Sequence, residues 1–299
     1  MQKKSDVYRT FIVFVMNEIL KKIASSPLQF DEAFPVEGGD INDAFRLEKD
    51  GHYYFLKLNI ADSFPEMFRK EAYSLDFLGK INDLKIPKTI AVGISEDNYQ
   101  YLILEWIEKV TPTPRSWQNL GQDLAKIHRQ THETFGWQED NYIGIIVQNN
   151  APKTKWSDFY AENRLLPLTK MLFDEKLITN KDAQLTEQIC KRLDEIFPNE
   201  APALLHGDLW NGNILPTHQD RVAFIDPACY FGHREMDIAM TKLFSGFDEN
   251  FYASYQEHYP LEQKWEERIP YAQLFPLMIH ALLFKGYYIN EVQNMLKKL

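Results

Sequence analysis

Cysteine is nearly missing from this chain: 299 residues carry only Cys190 and Cys229. Two isolated thiols make neither a disulfide framework nor a zinc-ligand pattern, and they suit a reducing compartment. Long apolar runs are missing as well. No stretch reaches 18 apolar residues, so no membrane span is expected. Lys3, Lys4 and Arg9 before FIVFVM imitate a leader, but the run stops at Asn17-Glu18 and no small-residue cleavage site follows. It reads instead as an amphipathic helix over about 6–23. A basic surplus is also lacking. The 33 Lys plus Arg stand against 43 Asp plus Glu, a formal charge of -10 that argues against a nucleic-acid surface. A phosphorylated ligand needs only a few cations and stays open. Repeats and low-complexity tracts do not occur. The expectation is a cytoplasmic monomer without nucleic-acid or membrane partners.

What the chain does have is apolar bulk, 44% of residues with 14% aromatic, enough for a large core. Its first third is strand-rich. FPVEGGDINDAFRLEKDGHYYFLKLN predicts a strand, a glycine turn, a strand, an Asp50-Gly51 hairpin and a strand. A helix is expected over 63–80, and KIPKTIAVGISEDNYQYLILEWIE supplies two further strands. Pro112 and Pro114 mark a break. Beyond it helical patterns dominate, over 116–130, 156–175, 183–197, 235–245, 248–258 and 273–297. Strand-like pieces are confined to 204–206, 213–216 and 222–226. The expected class is α+β in two lobes. Residues 1–108 form a small lobe with a leading helix, glycine turn and antiparallel sheet; residues 109–299 form a helical lobe with the chemistry-bearing loops. A cleft between two such lobes is a natural ligand site.

The chemistry concentrates in LLHGDLWNGNIL, residues 204–215. Its apolar ends ask for burial, and a polar group buried there unpaired costs roughly 1–3 kcal/mol. Asp208 and Asn213 stand five positions apart, and Asp226 ends the strand-like RVAFID. That set suits phosphoryl transfer. One carboxylate orients and deprotonates an attacking hydroxyl, while an amide oxygen and a second carboxylate hold Mg²⁺. The alternative is a polar turn followed by an ordinary surface aspartate. His206 has the more convenient unperturbed pKa for a base. Phosphoryl transfer, however, demands little early proton removal, so Asp208 is the expected base and His206 an organiser of the loop.

HGDLWNGN resembles the catalytic loop of the protein-kinase-like fold in small-substrate kinases. More specifically, the chain resembles the fructosamine kinase (ketosamine 3-kinase) family from about Gly38 to residue 292. LAKIHR, DNYIG, WSDFYAENRLLP, HGDLWNGN, IDPACYFGHREMDIAMTKLFSGF, FYASYQEHYPL and YAQLFPLMIHALLFKGYY carry the likeness. The resemblance implies an ATP- and Mg²⁺-dependent kinase of the 3-hydroxyl of ketosamines, free or on glycated protein lysines, acting in deglycation. It also implies that Lys57 is the phosphate-binding strand lysine and Glu71 its helix partner, although Glu66 lies close by and Lys57 could simply snorkel.

Gly38 and Gly39 suit a turn approaching nucleotide phosphates, although an ordinary hairpin also explains them. Asp40 stands where some members carry cysteine, and near phosphates its carboxylate must point away, cap the turn or meet a cation. Leu104, Glu105, Trp106 and Ile107 would form the hinge that meets the adenine edge. Trp210 is a candidate wall for the sugar, with a core role as the alternative. His233, Arg234 and Asp237 are assigned to shaping the acceptor pocket or bracing the loop, with Asp237 as the brace. An aminoglycoside-, choline- or homoserine-type kinase, or a silent nucleotide-binding protein, are the competing readings.

Overall fold

The computed structural model describes residues 18–36, 42–244 and 246–299. Most of the expected leading helix and the glycine turn with Gly38, Gly39 and Asp40 lie outside these residues; residues 18–22 are helical. The chain divides into two compact units. One comprises residues 1–80 and 86–108, the other 81–85 and 109–299.

The first unit is an antiparallel sheet of β1 (Glu32–Pro35), β2 (Asp43–Lys49), β3 (His52–Ile60), β4 (Thr89–Ile94) and β5 (Tyr99–Glu105), in the order β1-β2-β3-β5-β4. Asp50 and Gly51 both take positive φ (51° and 73°), which a two-residue hairpin between twisted strands requires. Strand parity then assigns the faces. Leu56 pairs with Ile103 and Leu58 with Tyr101, and these side chains join Leu47, Ile19 and Ile23 in one core cluster. Lys57 opposite Leu102 and Asn59 opposite Gln100 must therefore point to the other face. There the Met67–Leu78 helix packs. Gln100 secures its start by accepting from Phe68 N at 3.4 Å and donating to Phe64 O at 2.6 Å.

The second unit is mainly helical. The Pro114–His128 helix starts at a capping box in which Thr113 accepts from Ser116 N at 3.1 Å, with proline in the first turn. It lies against the Glu249–His258 helix at Gly121, where a Cβ would meet the Phe251 carbonyl at 2.4 Å. The expected 156–175 helix forms from Trp156 to Asp174, with a π-helical turn at Ala161–Leu165. Two other expected helices are broken. The 183–197 pattern becomes Asn180–Cys190 and Leu193–Ile196, and 273–297 becomes Trp265–Phe284 and Tyr287–Lys298. The second break has a clear cause: Lys285 and Gly286 carry φ of 55° and 52°.

Strands are also more numerous than expected. Asn141–Ile143 pairs with Ile146–Gln148, and Tyr230–Gly232 pairs with the expected strand at Ala203–Leu205; the three additional pieces are each too short to show a period of two. Ile214–Pro216 and Val222–Phe224 form the hairpin that presents Asn213 and Asp226 at one end. Residues 81–85, expected in the small lobe, group with this unit: Lys85 O accepts from Phe224 N at 3.1 Å, and Arg221 donates to Asp83 O. No described helix is long and apolar enough to cross a membrane.

Candidate active site

In the first unit, the face that strand parity gives Lys57 brings it to Glu71, one turn into the Met67–Leu78 helix. Lys57 Nζ lies 2.8 Å from Glu71 Oε1, and both side chains are largely buried. Glu66 is elsewhere engaged. It precedes the helix at φ 58° and pairs with Arg69 at 2.8 Å on the surface. At the end of β5, Glu105 N donates to Lys88 O at 2.9 Å, so this amide belongs to the sheet edge. Leu104 is buried, Trp106 and Ile107 are half-buried, and the Trp106 ring packs 6.4 Å from Phe55.

In the second unit, the catalytic-type loop is held from beneath by one buried carboxylate. Asp237 Oδ2 accepts from His206 N at 2.7 Å, and its Oδ1 accepts from Gly207 N at 3.0 Å. His128 Nε2 lies 3.2 Å from Oδ2 and must donate, since an ionised carboxylate only accepts. His128 Nδ1 then accepts from the Tyr255 hydroxyl at 2.7 Å.

His206 is fixed as one tautomer by the same logic. Its Nδ1 faces Asp208 N at 3.3 Å and accepts, so Nε2 carries the proton and donates to Ile225 O at 3.0 Å. Burial pushes His206 below the ordinary imidazole pKa. With its lone pair aimed at the backbone, His206 organises the loop and is not placed to take a proton from a substrate. Gly207 is required here. At φ 85° its missing Cβ would sit 2.1 Å from Ala228 O.

Asp208 and Asn213 meet directly. Asn213 Nδ2 donates to Asp208 O at 2.8 Å and to Asp208 Oδ2 at 2.9 Å. Ile225 N donates to Asn213 O at 3.1 Å, which brings Asp226 to the same end of the hairpin. Asp226 itself takes φ 55°, a conformation held by pinned neighbours on both sides. Ala228 N donates to His206 O at 2.8 Å, and Asn141 Nδ2 donates to Cys229 O at 2.9 Å. Trp210 is half-buried and lies over Gly212, where a Cβ would meet its Cη2 at 2.3 Å.

Arg234 is fully committed within this unit. Nε and Nη2 fork onto Glu200 at 2.7 and 2.8 Å, Nη1 reaches Tyr259 O and the Tyr255 hydroxyl, and Nη2 also reaches Pro260 O. Burial lowers the Arg234 pKa, but its bonds to Glu200 more than offset this and raise it. His233 is buried beside Trp156 and Phe197, and burial lowers its pKa. Neither residue has the exposure that shaping a substrate pocket would need; Arg234 is linked through the Tyr255 hydroxyl to His128 and so to Asp237.

Sequence reasoning passed over a second layer of support. Asn141 Oδ1 accepts from Gln148 Nε2 and Asn150 Nδ2, and Asn150 Oδ1 accepts from Arg164 Nη2 at 2.7 Å. Arg164 is itself buried between the Phe159 and Tyr230 rings, 4.6 and 4.4 Å from their centroids. DNYIG and AENRLLP were the available signals, since both place amides or a guanidinium beside apolar residues without a surface to point to.

The fructosamine kinase family model matches residues 14–299. The chain belongs to the fructosamine kinase family. A probable ketoamine kinase of Synechocystis is 36% identical over 289 residues, covering 93% of this chain and 94% of the relative. A candidate fructosamine-3-kinase from Thermobifida fusca, solved by crystallography, superposes with a TM-score of 0.82 at 33% identity, covering 95% of this chain and 97% of that one. An aminoglycoside phosphotransferase in a ternary complex with AMP-PNP and hygromycin B superposes at 0.64 and 16% identity, covering 93% and 97%. That likeness shows the fold alone: the two-lobed, protein-kinase-like α+β architecture that fructosamine kinases share with it.

Proposed function

We propose that this protein transfers the γ-phosphoryl group of ATP to the 3-hydroxyl of ketosamines, the sugar adducts of amines. The observation that carries the reading is the Asp208–Asn213 pair, set in a braced loop of a fructosamine kinase family member. Asp208, half-buried and with one carboxylate oxygen held by Asn213, orients the acceptor hydroxyl and receives its proton late in the transfer. Lys57, steadied by Glu71, binds the nucleotide phosphates. Because Glu105 N is spent in the sheet, the Trp106 and Ile107 backbone is the better candidate for the adenine edge. The Trp210 ring forms the wall against the sugar. The Gly38-Gly39 turn is assigned to the phosphates on sequence grounds alone.

Asn213 and Asp226 fit Mg²⁺. Asn213 turns its Nδ2 to Asp208, which leaves the carbonyl edge facing away, and Asp226 adds one carboxylate. The described residues contain no cluster of three or more His, Cys, Asp or Glu that could cage an ion. An oxygen-only, incomplete donor set suits an ion that completes its shell with water and substrate phosphates. When bound, the ion would neutralise charge on the phosphoryl oxygens.

Phosphorylation at the 3-position places a leaving group on C3, the carbon next to the C2 carbonyl of the adduct. Loss of a C1 proton gives the 1,2-enaminol, which expels phosphate from C3; water then hydrolyses the resulting imine and frees the amine, which makes protein or metabolite deglycation the proposed role, in the cytoplasm and as a monomer. The test is ATP-dependent phosphate transfer to ribuloselysine and fructoselysine, with an aminoglycoside, choline and homoserine as competing acceptors. Transfer to a ketosamine, abolished by Asp208→Ala, is the expected result. Transfer to another acceptor alone would keep a kinase and discard deglycation.

A further inference from the structure

The Trp210 ring is the inner end of a continuous aromatic strip. It meets Phe244 edge-on at 5.9 Å, Phe244 packs on His280 at 4.7 Å and on Tyr288 at 6.2 Å, and His280 packs on Phe284 at 5.5 Å. The strip starts two residues from Asp208 and ends at the surface, where Phe284 is 45% exposed.

Two left-handed backbone segments and one hydrogen bond assemble it. Phe244 sits at φ 52°, a left-handed conformation that is costly for a bulky aromatic. Asn211 Nδ2 donates to Gly246 O at 2.9 Å and so ties the catalytic loop to the segment that carries Phe244. The reversal at Lys285 and Gly286 returns Tyr288 to His280, with ring centroids 5.1 Å apart. The one titratable imidazole in the middle stays neutral. His280 Nδ1 donates to Pro276 O at 2.7 Å, and burial holds its pKa below the ordinary value. The strip therefore offers apolar area and aromatic faces without a charged ring to repel a positively charged ligand. Methylene groups and ammonium ions are what such a surface attracts.

The geometry points to this strip as the subsite for the amine side of the acceptor: the methylene arm of a glycated lysine lies along Phe244, His280 and Phe284, with Tyr288 flanking it. The inference rests on the ketosamine kinase reading and assigns the part of the substrate that the sugar site does not hold. It makes the C-terminal helical hairpin the element that discriminates between amines.

The experiment compares ribuloselysine with the ribulose adduct of methylamine, which keeps the sugar and the cationic nitrogen but has no arm. Wild-type protein is expected to favour the lysine adduct by about tenfold or more in kcat/KM. Phe284→Ala and Tyr288→Leu should each remove most of that preference by raising KM for the lysine adduct. The kcat values, the KM for ATP and the kinetics of the methylamine adduct should stay within about twofold. Phe284→Tyr, which keeps a ring at the exposed position, should restore the preference. Equal turnover of the two adducts by wild type, or an unchanged preference in both folded variants, overturns the subsite and leaves the kinase reading standing. No turnover of either adduct overturns the ketosamine reading and this subsite with it.

Discussion

At the scale of single residues, the loop separates chemistry from support. Asn213 Nδ2 needs only an oxygen acceptor, and the amide of an Asp208→Asn variant still provides one. The fold should therefore survive while the proton acceptor is lost. Turnover is expected to fall by about 10²–10⁴-fold, with a melting temperature near that of wild type. A variant with normal turnover would exclude Asp208 as the base. Gly212 gives a complementary case. It is exposed, so Gly212→Ala has little to lose in stability, yet the new Cβ would collide with the Trp210 ring. Displacing the indole should raise KM for a ketosamine several-fold and leave KM for ATP alone. An unchanged acceptor KM would show that Trp210 does not wall the sugar site.

The next scale is the loop and the helices beneath it. Asp237 satisfies three donors at once, two from the loop backbone and one from His128. Asp237→Ala would leave them buried without an acceptor, and a loss of about 3 kcal/mol or more is expected in urea unfolding. The histidines of this support carry a pH signature. His128, His206 and His233 are all fully buried, and burial lowers the pKa of each below 6.5. The unfolded chain then binds more protons than the native one as pH falls through 6.5, so stability present above that value is lost on acidification. Each histidine contributes a slope of up to about 1.4 kcal/mol per pH unit until its folded pKa is reached. Asp123, whose pKa burial raises, works in the opposite sense but is a single group. The urea midpoint should therefore drop clearly between pH 7 and pH 5; a flat profile would mean that these rings protonate in place.

For the molecule as a whole, what was legible in the sequence followed from period and spacing. The five strands of the small unit have alternation or tight turns, and the D-x-x-x-x-N spacing survives folding because Asn213 turns back onto Asp208. Lys57 was legible for the same reason, since parity on a long strand dictates its face. The short strands Asn141–Ile143, Ile146–Gln148 and Tyr230–Gly232 were not, and neither was the Asn141–Asn150–Arg164 network, whose members meet only through tertiary contacts.

For MgATP to bind as proposed, it needs the Lys57 ammonium for its phosphates and the Asp226 carboxylate for its ion. Ligand linkage tests that requirement without any turnover. MgATP at about 100 times its Kd should stabilise the protein by about 2.7 kcal/mol, visible as a rise of several degrees in melting temperature. Asp226→Ala should abolish the part of the rise that depends on Mg²⁺, and Lys57→Ala should reduce the rise with or without the ion. Asp208→Asn should keep nearly all of it, because its carboxylate is assigned to the acceptor. If Asp226→Ala retained the full Mg²⁺-dependent increment, the ion would have to be held elsewhere, and the assignment of Asn213 and Asp226 would fall while the fold and the base remained.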